Sequence, residues 1–169
     1  MDEIVNRVAK SSLVSLDLED YLHKGEYAVF DVKDTLFQGL ILREKDFRNF
    51  LKEHDWAEYA DKNVGLVCTA DAIVPTWAYM LLVTKISEHA NTVTFGGEEA
   101  IEKSLIDQAI EKCITTTDLK DKKVVIKGCG DVKNIEYAYT KVTEKLFPIV
   151  SSLMYGEPCS TVPIFKRKK

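Results

Sequence analysis

The sequence has no Gly-x-Gly-x-x-Gly turn and no Walker-type lysine loop. The usual backbone cradles for nucleotide phosphates are therefore missing. It has no Cys-x-x-Cys pair, the close spacing that marks most structural zinc sites. Its longest apolar run, near Trp77 to Val83, is far too short for a bilayer span. The opening residues, Met1-Asp2-Glu3-Ile4-Val5-Asn6, carry neither the basic nor the apolar part of a signal peptide. No low-complexity segment, linker or internal repeat is evident. Positive charge is not in excess: the formal net charge is −4, which gives no general attraction to nucleic acid or anionic membrane. The only basic cluster, Lys166-Arg167-Lys168-Lys169, reads as a solvated tail. Trp77, Tyr79, Tyr137 and Tyr139 read as helix residues and form no stacking platform for single strands. The expectation is a cytoplasmic protein with no nucleotide signature and no nucleic-acid or membrane partner.

What is present fits a soluble globular chain. Its 169 residues are 46% hydrophobic and 30% charged, enough for one domain over 1–169 with a real core. Residues 4–10 suggest one helical turn. Val14, Leu16 and Leu18 alternate with polar residues, Ala28, Phe30 and Val32 alternate with Val29 and Asp31, and both stretches read as short strands that pair antiparallel at an edge. Leu36 to Leu42 is ambiguous between strand and helix. Arg43 to His54 has helical spacing, and Trp56 and Tyr59 follow in a charged turn, exposed enough to serve a homodimer interface. Asn63 to Thr69 is a buried strand. Asp71 is then placed to cap a helix over Ile73 to His89 that is apolar on nearly every face and hence buried.

Asn91 to Phe95 is a further strand, and Glu98 to Ile114 a helix with Ile101, Leu105, Ile106, Ala109, Ile110 and Cys113 on one stripe. Val124 to Lys127 forms a strand that ends at Gly128-Cys129-Gly130-Asp131. A helix runs from Asn134 to Phe147, where Pro148 kinks or ends it, with Ile149 to Tyr155 as its continuation. Gly156 to Cys159 is a turn and Thr161 to Phe165 a last strand. Alternation of this kind predicts an α/β fold, a single domain with a mixed, mostly parallel sheet of about four to six strands flanked by helices.

The cysteines sort by position. Cys113 lies on the apolar stripe and reads as a core residue. Cys68 and Cys129 each end a strand, where α/β sheets build their sites, and Cys159 sits in a turn ahead of the last strand, whose direction decides whether this thiol reaches the same edge. Three converging thiolates suit zinc with one open position, or an iron–sulfur species. Asp71 and Asp131 are the carboxylates beside them, as outer partners of the ligands. A second reading makes Cys129 a nucleophile, with the amides around Gly128 and Gly130 as an oxyanion hole; His23, His54 and His89 offer no base in a convincing context. A third makes the chain a non-catalytic interaction module whose cysteines only pack.

Several stretches together resemble the DUF2480 family of uncharacterised proteins, largely from Bacteroidetes. They are Glu3 to Ala9, His54-Asp55-Trp56, Cys68 to Ala78, Ile126 to Cys129, and Gly156 to Pro163. The resemblance runs nearly end to end and implies no assigned activity. Genes of the family often neighbour those of the SUF iron–sulfur assembly system. The resemblance therefore implies a thiol or iron role, accessory to cluster assembly, with iron–sulfur assembly proteins as partners.

Overall fold

The structure is a computed structural model that describes residues 13–128 and 130–168. In chain order its elements are β1 (Leu13–Leu16), β2 (Tyr27–Asp31), α1 (Glu44–Glu53), β3 (Asn63–Val67), α2 (Thr76–Ile86), β4 (Thr92–Phe95), α3 (Glu98–Thr116), β5 (Lys123–Ile126), α4 (Ile135–Leu146), β6 (Ser152–Glu157) and β7 (Ser160–Lys166). Short 3₁₀ turns follow β1, β2 and α1, at Leu18–Tyr21, Val32–Thr35 and Trp56–Tyr59. The α/β class and the mostly parallel pairing are as the alternation predicts. The strands are shared between two sheets, β2-β3-β4 and β1-β5-β6-β7. The chain forms two compact units: a middle unit, Lys24–Leu105, and a terminal unit made of the segments through His23 and from Ile106 onward.

In the middle unit β3 pairs in parallel with β2 on one side and β4 on the other. Parallel neighbours cannot be joined by a tight turn, so a crossover helix must carry the chain back each time. α1 and α2 are those helices. Both crossovers step the same way across the sheet, and right-handed connections then place both helices on one face. α1 buries Phe47 and Leu51; α2 buries Ala78, Leu82 and Ile86, spaced one turn apart. These pack with Phe30, Val64 and Leu66 of the sheet. On the other side of β3, Gly65 lies against the Gly96 carbonyl and the Ile101 side chain of α3.

The terminal unit repeats this scheme with a hairpin added. β5 pairs in parallel with β1 and with β6, and β7 returns antiparallel along β6. Its core joins Leu16, Ile110, Val124, Val142, Leu146 and Leu153. The apolar stripe of α3 is buried as its spacing predicts.

Four local expectations are corrected. β1 and β2 do not pair with each other; each pairs in parallel with a central strand instead. Residues 149–155 do not extend α4. After Pro148 the amides of Ser151 and Ser152 donate to the Lys122 carbonyl, which starts β6 beside β5. Asp71 does not cap α2, which starts at Thr76 with Pro75 at its cap position. A residue before proline is driven out of the α region, so Val74 stays outside the helix and α2 begins only after Pro75. Finally, α2 is buried on one stripe only: Met80 is 64% exposed, because a crossover helix has the sheet on one side alone. The ambiguous stretch 36–42 is a turn closed by a Phe37–Ile41 bridge.

Trp56 and Tyr59 are also corrected: both are core residues, not interface aromatics. They pack in the middle unit's cluster, and the Trp56 indole donates to the Leu51 carbonyl at 2.9 Å. The expected helical turn at 4–10 lies outside the described residues. Among the described residues no helix is long and apolar enough to cross a membrane.

Gly65 is fixed by backbone on its far side. Gly65→Ala would press its Cβ onto the Gly96 carbonyl, which cannot swing aside as a side chain can. The expected loss is about 1–3 kcal/mol of stability, read as a lower urea midpoint with an unchanged slope. An unchanged midpoint would contradict this close approach.

Candidate functional site

The carboxyl edge of β2-β3-β4 carries the best-defined polar group of the middle unit. Asp31 ends β2 opposite Val67 of β3. Its carboxylate accepts from the Lys33 amide at 3.0 Å and from the Thr69 amide at 3.1 Å. The Thr69 hydroxyl donates to it at 2.5 Å, and the Lys33 ammonium lies 3.2 Å away. Burial pulls the carboxyl upward, but these hydrogen bonds, led by the Thr69 hydroxyl, outweigh it and hold the pKa down at about 2. Thr69 is thereby tied across the sheet end, and Cys68 is held next to it.

Cys68 is half-buried just past the central strand, with its thiol 3.6 Å from the Ala70 carbonyl. The Tyr79 phenol, on the first turns of α2, has its pKa raised by burial first and then by the charges of Cys68 and Asp31. Tyr79 also meets Phe95 of β4 edge-on, with ring centroids 5.1 Å apart. One edge of one sheet thus gathers a thiol, a carboxylate that stays ionised, a hydroxyl and a phenol.

The predicted site residues fall as follows. Cys68 is at the sheet edge where strand-end reasoning puts it. Cys159 is exposed in the turn between β6 and β7, at the carboxyl end of β6 in the terminal unit. Cys129 lies outside the described residues. Asp71 is exposed in the bend before α2. Asp131 is exposed, and its amide donates to the Glu19 carboxylate at 3.2 Å. Among the described residues no group of three or more histidine, cysteine, aspartate or glutamate side chains is placed to hold a metal ion. Cys113 is fully buried, and its thiol is pushed up by burial, as a packing residue's should be.

Two members of the Cys68 edge, Thr69 and Tyr79, are not marked by sequence motifs. The signal that finds them is register: once β2 and β3 pair in parallel, Asp31 and Thr69 must meet although they are 38 residues apart. Asp31 also caps the 3₁₀ turn that follows β2. It performs both tasks with the same oxygens.

Asp31→Asn is expected to cost about 1–2 kcal/mol at neutral pH, discounted because the side chain keeps 15% of its surface in water. The folded carboxyl titrates near 2 and an ordinary one near 3.8. Its contribution is therefore complete above the ordinary value and lost as the pH falls through about 2. The stability gap between wild type and Asp31→Asn should close over that window in urea melts. A gap that does not change with pH would remove the carboxylate's role.

No curated protein and no solved structure matches the chain. A family model described as a protein of unknown function (DUF2480) matches residues 2–167. The chain belongs to the DUF2480 family.

Proposed function

We propose that the chain is an accessory binding protein whose working group is the Cys68 thiol, which takes a thiophilic species: a soft metal ion or an iron–sulfur unit. The setting of Cys68 carries this reading. Its thiol stands half-buried just past the central strand of a parallel sheet, in a segment fixed by the Asp31–Thr69 bonds. A thiolate is a strong ligand for soft metals. A nucleophile would need a neighbouring base, and the neighbours described here are poor ones. Asp31, at about 2, is too weak a base at neutral pH, and the Tyr79 phenol is moved further from neutrality.

One thiol supplies one ligand of a tetrahedral site. The species is therefore shared with ligands from beyond this edge, as suits a protein that receives or passes on its cargo. A role beside iron–sulfur cluster assembly, implied by the family resemblance, is the specific form of this proposal. The three-cysteine site and the Cys129 nucleophile both need a residue outside the described ones and draw no support from the described geometry.

Cobalt(II) is the probe, because a thiolate bound to it gives a charge-transfer band. Anaerobic full-length protein should show that band at about one site per chain. Cys68→Ser should abolish it and Cys159→Ser should leave it. Iron and sulfide reconstitution should follow the same pattern. A band unchanged in Cys68→Ser, or none under either condition, overturns the proposal.

A further inference from the structure

The two units share more than an order of elements. A single offset of 60 residues maps one onto the other from β3 to the end of β4. Asp61 and Asp121 both hold a left-handed φ of 58° just before their strands. Their amides donate to the His89 and Ile149 carbonyls at 3.1 and 3.0 Å. Lys62 donates to Tyr59 and Lys122 to Leu119; Asn91 donates to Lys62 and Ser151 to Lys122. The fully buried helix stripe Ala78, Leu82, Ile86 recurs as Ala138, Val142, Leu146. Gly96 and Gly156, with φ of 121° and 119°, close the mapped stretch.

The first strands match as well. Asp17 accepts from the Glu19 amide at 3.1 Å, and Asp31 from the Lys33 amide at 3.0 Å. Each caps a 3₁₀ turn with a buried residue, Leu18 or Val32. In register, Leu16 pairs with Ile126 and Phe30 with Leu66, partners again 60 residues apart. Left-handed aspartates and glycines at matched places are backbone features that side-chain chance does not produce.

We infer that the chain is one β-α-β-α-β half used twice, with the middle copy inserted into the loop after the first strand of the other. The two copies hold the same side-chain pair in reciprocal states, Cys68 with Phe95 and Gly128 with Tyr155. The matched ring pairs are nearly superposable: Tyr79–Phe95 at 5.1 Å and 90°, Tyr139–Tyr155 at 5.1 Å and 87°. In the terminal copy a Cβ at Gly128 would stand 2.5 Å from the Tyr155 hydroxyl, although the Gly128 φ is not left-handed. The end of the Tyr155 ring, its hydroxyl and Cζ together, takes the space that a side chain at 128 would need. In the middle copy the matched ring, Phe95, is 69% exposed, and the matched position, 68, carries the thiol.

The test is a double-mutant cycle on the full chain, read by thermal melting. Gly128→Cys should lower Tm by roughly 3–8 °C, and adding Tyr155→Ala should recover part of that loss, because it removes the ring end that a side chain at 128 meets. Additive effects, or a neutral Gly128→Cys, overturn the inference. The cycle is read without ligand, so it decides the matter whatever Cys68 binds.

Discussion

A parallel strand is delivered to its neighbour by a helix that must lie on the sheet, and that requirement governs both units. Each crossover fixes which side of α1, α2 and α4 is apolar and how far it extends. In the middle unit it leaves the second face of β3 to be closed by α3, through contact so close that position 65 carries no side chain. Crossovers that step in one direction also create no reversal of strand order. The crevice at a switch point, where open α/β sheets most often bind ligands, does not arise in β2-β3-β4. The polar edge around Cys68 is a shelf at the ends of these strands.

On such a shelf, order has to come from hydrogen bonds, since packing covers only part of it. Asp31 supplies that order. It is acceptor-only when ionised, so it can hold the turn after β2 through the Lys33 amide and the segment after β3 through Thr69. The same bonds that depress its pKa connect two strand ends. A thiol next to Thr69 therefore sits on backbone that is fixed on one side by the sheet and on the other by a charge. This is the physical sense in which Cys68 differs from Cys159, which is exposed in a hairpin turn.

The strands and helices with dense periodic patterns were legible in the sequence. Val124-Val125-Ile126 and Val64 to Val67 have the apolar content of buried parallel strands, and the α3 stripe follows helical spacing. What was not legible depended on partners distant in the chain. Ile149 to Tyr155 has enough apolar residues for either helix or strand, and only the Lys122 carbonyl decides. Asp71 is a good cap by residue type, yet α2 starts only at Thr76, because Pro75 constrains the residue before it. At the candidate site, Cys68 was legible as a strand-end thiol. Thr69 and Tyr79 were not, because register and a helix start one turn away had to be known first.

The repeat was hidden for a related reason. Between the copies, what persists is burial, backbone sign and hydrogen-bond partner: Leu82 answers Val142, Ile86 answers Leu146, and Asn91 answers Ser151. Cores accept any apolar residue of about the right volume, so identity decays while the pattern of buried positions does not. Nesting removes the remaining cue. The first strand of the terminal copy precedes the whole middle copy, so its Asp17 stands 14 residues before Asp31 while every later match stands 60 away. A fixed-period comparison sees two unrelated offsets where the fold has one relation. The divergent positions then become informative. Residues 68 and 128 occupy the same place in the same frame, so cysteine in one copy and glycine in the other mark where the two copies differ.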